Sequence, residues 1–427
     1  MNNIESFIGR QWPANKMDDT MKDHVTAIDA IQNNVCQRCG SQVEYKLPDN
    51  HYYCRKCIGI GRIDDSQLLL RCSLEKEYPR LKNGGLTWQG QLQERQRKVS
   101  DDLCKSLEKG ENRLIHAVTG AGKTEMIFPL LAKGFEIGKR ICIATPRIDV
   151  VNELYPRFVE AFKKVTIGKY HGREYKEADN EQLIICTTHQ LLKYYHAFDL
   201  LIIDEVDSFP YVGDSQLHFA AKNAVKITGC RIYLTATPTD DLMREVKQGT
   251  LQISKLNRRF HGGLLPVPKL RLYLRPFLNK NKLNTNLTRE IVKVIKQGHP
   301  LLLFVPRIAE IPLYYQALSK VKELKNLKIA GVHAADPERL EKVSAFRNGD
   351  LDILITTTIL ERGVTFKHVW VIILAADDAI YSTSSLVQIA GRVGRAKEDK
   401  TGLVLFCYHK YTKSIRQAVK QIRDMNK

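Results

Sequence analysis

His116-Ala117-Val118-Thr119-Gly120-Ala121-Gly122-Lys123-Thr124-Glu125 follows the apolar pair Leu114-Ile115 and precedes the helical pattern Met126-Ile127-Phe128-Pro129-Leu130-Leu131. A strand, a glycine-rich turn ending in Gly-Lys-Thr and a helix make a phosphate-binding loop. Gly120 and Gly122 let the backbone come close to phosphate oxygens, and the helix start turns free N–H groups toward the anion. Lys123 is placed to reach the β- and γ-phosphates of a nucleotide, and the Thr124 hydroxyl to hold Mg²⁺. Ala117 stands where the G-x-x-x-x-G-K-[ST] pattern has its first glycine.

Working outward, short apolar strands alternate with helical segments on both sides of this loop. Leu114–Val118, Ile141–Thr145, Leu183–Thr187, Leu200–Asp204 and Ile232–Thr235 form one set. Leu301–Val305, Lys328–Val332, Ile353–Thr356, Val369–Leu374 and Gly402–Cys407 form a second. Both read as parallel α/β sheets. The expected division is an N-terminal region over 1–85, a first lobe over 86–245, a basic linker over 246–282 and a second lobe over 283–427. Residues 1–35 carry little pattern; Asp18 to Ile31 reads as one helix.

Chemistry in open α/β sheets collects at the carboxyl ends of strands. Leu200-Leu201-Ile202-Ile203 runs into Asp204-Glu205-Val206-Asp207, 81 residues beyond Lys123. Asp204 suits Mg²⁺ binding through water, and Glu205 suits orienting or deprotonating an attacking water. Ile232-Tyr233-Leu234 ends in Thr235-Ala236-Thr237, hydroxyls placed to sense either that acidic pair or nucleic acid. Gln388-Ile389-Ala390-Gly391-Arg392-Val393-Gly394-Arg395 sets two arginines three apart, on one helix face. Arginines so held can neutralise charge developing on a γ-phosphate.

Upstream, Cys36-Gln37-Arg38-Cys39 and Cys54-Arg55-Lys56-Cys57 are two C-x-x-C pairs separated by fourteen residues. Four thiolates suit a closed tetrahedral Zn²⁺ site, structural rather than catalytic. Gly40 and Gly59 follow the pairs and relax their turns. The remaining six cysteines stand singly in apolar surroundings and read as core residues.

The net charge is +19, and residues 246–427 hold 32 basic and 14 acidic side chains, +18 of it. Such asymmetry points to a polyanionic partner. There is no run of about 18 apolar residues and no charged-then-apolar leader at Met1-Asn2-Asn3-Ile4-Glu5. A cytoplasmic protein is expected, without a disulfide framework.

In their order these motifs resemble those of superfamily 2 helicases, whose phosphate loop commonly reads A-x-x-G-x-G-K-T; Ala117 is then the expected residue. The resemblance spans roughly 86–427 and implies two tandem RecA-like lobes, ATP with Mg²⁺, and a nucleic-acid-dependent NTPase. It implies that Ala117, Thr119, Gly120, Ala121, Gly122, Lys123, Thr124 and Gly363 contact the nucleotide and that Gln96 reads adenine. It implies that Lys123, Asp204, Glu205, Arg392 and Arg395 carry catalysis. Pro146, Arg147, Thr187, Thr188 and His189 in the first lobe, with Thr357 and Thr358 in the second, are implied to grip a nucleic-acid strand. The four cysteines ahead of a short motor, with Asp204-Glu205-Val206-Asp207-Ser208-Phe209-Pro210-Tyr211, are similar to the late-competence DNA-uptake ATPases of Gram-positive cells. That resemblance implies single-stranded DNA as partner, a phosphoribosyltransferase-like competence protein, a membrane DNA channel, a homo-oligomer and a place at the inner face of the membrane. The alternatives are an RNA or replication-restart helicase of the same superfamily and a non-enzymatic scaffold with a decayed motor.

Overall fold

The structure, a computed structural model, describes residues 7–72, 74–172, 180–260, 262–362, 364, 366–394 and 402–427. By their contacts the residues form two compact units, Met1–His116 with Gly122–Lys255, and Ala117–Ala121 with Leu256–Lys427.

The first unit opens with three antiparallel strands, β1 (Gln11–Ala14), β2 (Val25–Asp29) and β3 (Leu68–Cys72), in the order β1-β3-β2. The helix expected over Asp18–Ile31 is therefore not formed. A single 3-10 turn, Asp19–Met21, precedes β2. Val25, Thr26 and Ile28 are β-branched and disfavour helix, and pairing Val25 with Cys72 and Ala27 with Leu70 satisfies the backbone instead. Inserted before β3 are the two cysteine turns and a short ribbon pairing Tyr45–Lys46 with Tyr52–Tyr53.

A seven-stranded sheet follows. It is built from β4 (Arg113–Ala117), β5 (Ile141–Thr145), β6 (Ile167–Tyr170), β7 (Leu183–Thr187), β8 (Phe198–Asp204), β9 (Val225–Thr235) and β10 (Gln252–Leu256). Their order is β6-β7-β5-β8-β9-β4-β10, and from β6 to β4 every pairing is parallel. Leu200, Leu201, Ile202 and Ile203 are fully buried, as are Ile184 and Ile185. Strands buried on both faces read as unbroken apolar runs, and helices cover the sheet. The stretch expected to be linker contributes β10 to this sheet.

The N-terminal region is fixed to the first sheet rather than strung before it. Arg10 bridges Tyr194, Gln11 Nε2 donates to the Leu192 carbonyl at 3.1 Å, and Arg140 Nη1 donates to the Ile8 carbonyl at 3.0 Å. The four cysteines, Ile63 and Leu69 share one apolar cluster with Phe198, Leu201 and Ile203. Gly40, at φ 72°, lies so close to Phe219 on the helix Ser215–Ala224 that a Cβ there would be 2.6 Å from a ring carbon.

The second unit carries β11 (Lys269–Leu272), β12 (Leu301–Phe304), β13 (Ile329–Val332), β14 (Ile353–Thr356), β15 (Trp370–Ile373) and β16 (Val404–Tyr408). The order is β11-β16-β15-β12-β14-β13, all parallel. Here too the expected linker supplies a strand, β11, at the sheet edge. Leu287, Ile291, Leu303, Ile355 and Ile372 form its buried core.

The two cysteine turns do not use their glycines alike. Gly40 has a left-handed backbone and a packed ring beside it, whereas Gly59 has neither, and nothing lies within 4 Å of a Cβ placed there. Gly61, at φ 101°, takes the strained position after the second pair. Gly40→Ala should cost about 1–3 kcal/mol and Gly59→Ala less than about 0.5 kcal/mol. Urea unfolding of the full chain measures both, and equal costs would contradict this packing.

Candidate active site and metal centre

The parallel register lines up the carboxyl ends of the first sheet. Thr145 lies beside Thr187, Asp204 beside Leu234, and Thr235 beside His116, which leads into Ala117. A strand buried on both faces has solvent only at its ends, so the polar residues expected in the site emerge together along one edge.

The phosphate loop leaves β4 there. Ala117 is fully buried at the end of the strand and its φ is not positive, so this position does not require glycine. Gly120 and Gly122 have φ of 79° and 76°, a left-handed conformation in which a Cβ costs about 1–2 kcal/mol. Gly122 caps the helical turn Lys123–Met126, so the backbone amides of Lys123 and Thr124 open that turn. Ala117, Val118, Thr119 and Ala121 are buried around them.

Lys123 reaches across to β8, its Nζ 3.8 Å from Asp204 Oδ1. Asp204 Oδ1 also accepts the Glu205 N–H at 2.9 Å. That bond goes with a left-handed backbone at Glu205, φ 56°, which turns the chain sharply at the strand end. A cation and two carboxylates thus sit at one corner, the set needed to hold Mg²⁺ and a triphosphate.

The acid beyond this pair has a role that sequence reading left out. Asp207 is buried, and its two oxygens accept Thr235 Oγ1 at 2.6 Å and Thr237 Oγ1 at 2.5 Å. Thr235 Oγ1 also accepts the Thr237 N–H at 2.9 Å. The hydroxyls at the end of β9 therefore hold Asp207, the last member of the acidic tetrad. Beside them His116 Nε2 lies 3.2 Å from the Ala236 carbonyl. Burial, with Lys255 and Lys123 nearby, lowers its pKa and favours the neutral ring.

Thr145-Pro146-Arg147 and Thr187-Thr188-His189 leave adjacent strands at the same edge. Thr187 and Thr188 are buried, while His189 is exposed. Of that second loop's three polar side chains, His189 is the one open to solvent. Arg147 lies 3.9 Å from Asp149. Gln96 is buried in the first turn of Glu94–Lys109, where its Oε1 accepts the Gln93 N–H at 2.9 Å.

In the second unit, β12 and β14 run side by side, and Thr357 and Thr358 follow β14 at its carboxyl end. Arg392 is 2% exposed, with Nε donating to the Glu361 carbonyl at 3.0 Å. Arg362 is held by the Ser384 hydroxyl at 3.0 Å. A further arginine braces the same turn. Arg259, 1% exposed, donates to the carbonyls of Gly391 at 3.0 Å and Val393 at 2.7 Å, and to that of Gly394. Nothing in the local sequence marks it, because it stands between two strands in the stretch read as linker. Gly363 and Arg395 lie outside the described residues.

The four expected metal-binding cysteines come together. Cys36, Cys39, Cys54 and Cys57 are buried and their sulfurs lie within 4.8 Å of one another. Cys36 and Cys57 approach to 3.8 Å, and Cys39 and Cys54 to 3.5 Å. A tetrahedron with Zn–S of about 2.3 Å requires S···S distances of roughly 3.8 Å, so the donor set fits zinc. Buried Arg38 donates from Nε to Cys57 Sγ at 3.4 Å and from Nη2 to the Cys57 carbonyl at 3.2 Å. Four thiolates around Zn²⁺ leave a net of two negative charges, and Arg38 offsets part of it.

Comparison with known proteins agrees with this geometry. Residues 89–240 match the res subunit of type III restriction enzymes and residues 283–397 the helicase conserved C-terminal domain. Over 78% of this chain and 91% of the other, the fold matches Saccharomyces cerevisiae Dbp5 bound to RNA and ADP-BeF3, with a TM-score of 0.54 and 17% identity. The competence protein ComFA of Bacillus subtilis is 40% identical over 94% of this chain and 89% of its own length. That of Streptococcus pneumoniae is 43% identical over 99% of this chain and 98% of its own. Two RecA-like lobes, a four-cysteine cluster ahead of them and near-complete alignment with both proteins carry one conclusion: the chain belongs to the ComFA family of superfamily 2 helicases.

Proposed function

We propose that the chain is an ATP-driven motor on single-stranded DNA that acts in the uptake of transforming DNA. The observation that carries this reading is the corner where Lys123 Nζ lies 3.8 Å from Asp204 Oδ1, beside Glu205. Two left-handed glycines and the Lys123–Met126 turn present amides to the phosphates there. Thr124 and Asp204 would hold Mg²⁺, which would supply charge neutralisation to the bound triphosphate. Lys123 leaves Asp204 for the phosphate oxygens. Glu205 orients the attacking water and takes its proton. Thr119 and Ala121 line the loop and Gln96 reads the base; Gly363, Arg392 and Arg395 take the nucleotide-contacting and catalytic roles that the family's motifs give to those positions.

Coupling to the strand is the second half of the reading. Pro146, Arg147, Thr187, Thr188 and His189 form the first unit's track and Thr357 and Thr358 the second's. Residues 246–427 supply most of the basic surface for backbone phosphates. The Thr235–Asp207–Thr237 clasp joins the acidic corner to the end of β9, so a shift at one strand end is passed to its neighbour. Zn²⁺ bound by Cys36, Cys39, Cys54 and Cys57 is structural, since no fifth ligand is needed and all four sulfurs are buried.

Three outcomes follow. ATP turnover should rise with poly(dT) more than with poly(U) and fall at least about a hundredfold in Lys123→Ala, as expected for loss of a phosphate-stabilising cation. Turnover indifferent to nucleic acid would sink the motor reading, and stronger stimulation by poly(U) would replace it with an RNA-directed one. Thr235→Val removes a hydrogen bond to a buried carboxylate. It should lower stability by about 1.5–3 kcal/mol and weaken stimulation by DNA more than basal turnover. Equal loss in both would make the clasp merely structural. Purified chain should carry one zinc, and Cys36→Ser/Cys57→Ser should lose it together with a cooperative melting step. Undiminished zinc in that double variant would rule these ligands out.

A further inference from the structure

The first unit has a polar cavity of about 430 Å³. Arg140 precedes β5, Ala197 precedes β8 and Lys226 begins β9, so one wall is the amino-terminal edge of the large sheet. That is the pole opposite to Thr145, Asp204 and Thr235. The other wall is the N-terminal sheet, through Ile8, Arg71 and Cys72. Neither wall alone encloses the space.

Its chemistry is one-sided. Arg71, Lys76, Arg140 and Lys226 line it against the single carboxylate of Glu75. Arg140 is 1% exposed, and its Nη1 and Nε already donate to the carbonyls of Ile8 and Glu181. Its Nη2 has no partner among the described residues, and neither does the buried hydroxyl of Tyr78, whose ring centre is 5.6 Å from the Arg140 guanidinium carbon. The acid beneath them is already committed, because Asp199 takes the Arg140 N–H, Lys139 and Lys226. Arg71 is held in place, donating to Gln11 and to the Gln37 carbonyl, with its guanidinium 3.9 Å from the centre of the Tyr195 ring.

The buried Arg140 guanidinium, without a carboxylate in ion-pair range among the described residues, makes the space beside it electropositive, and an anion held there by Arg71 and Lys226 would recover part of the cost of burying that charge. Phosphate offers several acceptor oxygens at the spacing that arginine matches. The volume lies in the range of small-molecule sites, well beyond a single ordered water. We propose that this cavity binds the phosphate of a nucleotide-sized ligand, delivered by a free mononucleotide or by the 5′-phosphorylated end of a DNA strand. The site is independent of the phosphate loop and of the motor reading.

The test uses the full chain carrying Lys123→Ala, so that the phosphate loop is disabled. Calorimetric titration with dTMP, and with short dT oligomers bearing a 5′-phosphate or a 5′-hydroxyl, gives the affinities. A dTMP signal identifies the free nucleotide, and preference for the 5′-phosphate over the 5′-hydroxyl oligomer identifies the strand end. In either case Arg71→Gln should weaken binding about tenfold and Lys226→Gln about threefold. Both variants should melt close to the parent and, with Lys123 restored, keep its basal ATP turnover. Arg140 is tied into two elements, so Lys226→Gln, at a partly exposed side chain, is the variant that separates binding from folding. No binding of dTMP with no preference for the 5′-phosphate, or affinities unmoved in Arg71→Gln/Lys226→Gln, overturns the proposal.

Discussion

A strand whose two faces are both buried can carry chemistry only where it stops. Leu200 to Ile203 are inaccessible, and the next residue is Asp204. Ile141 to Ala144 are buried, and Thr145-Pro146-Arg147 follows. Parallel pairing then places every such stop at the same edge. The acidic corner, the phosphate loop and the loops that follow β5 and β7 are neighbours because of that one constraint, not because of any contact specific to each. A one-residue slip of β8 against β9 would turn Asp204 to the other face and separate it from Lys123.

The same constraint explains what could be read from the chain. Central strands are continuous apolar runs, so β5, β7, β8, β12, β14 and β15 are visible, as are the residues that end them. Of the four edge strands only β13 is, and the other three are not. Gln252–Leu256 and Ile167–Tyr170 alternate buried with more exposed residues, and Lys269–Leu272 has no buried residue at all. Each is recruited by the backbone groups of a neighbour rather than by its own pattern, which is why two of them fall in the stretch that reads as linker. In the N-terminal region β-branched residues and a distant partner, Leu68–Cys72, override the local helical reading.

At the site, motif spacing marks the residues that touch a ligand and passes over those that hold them. Asp207 belongs to the acidic tetrad, but its bonds come from β9, nearly thirty residues on. Arg38 lies between two visible cysteines, and only packing places its guanidinium against Cys57. Arg259 reaches three carbonyls more than a hundred and thirty residues later. Such supports satisfy buried charge and buried backbone groups, and neither need leaves a periodic trace.

The attachment of the N-terminal region to the first sheet has a mechanical consequence. A module on a flexible tether samples a volume, and whatever binds it is held at a mere effective concentration. Here Arg10, Gln11 and Arg140 tie strand to strand, and Gly40 rests on the ring of Phe219. There is no slack between the cysteine cluster and the helix that follows the acidic corner. Anything gripping the cysteine module is on a rigid mount, and its orientation is fixed by the sheet that carries Lys123 and Asp204.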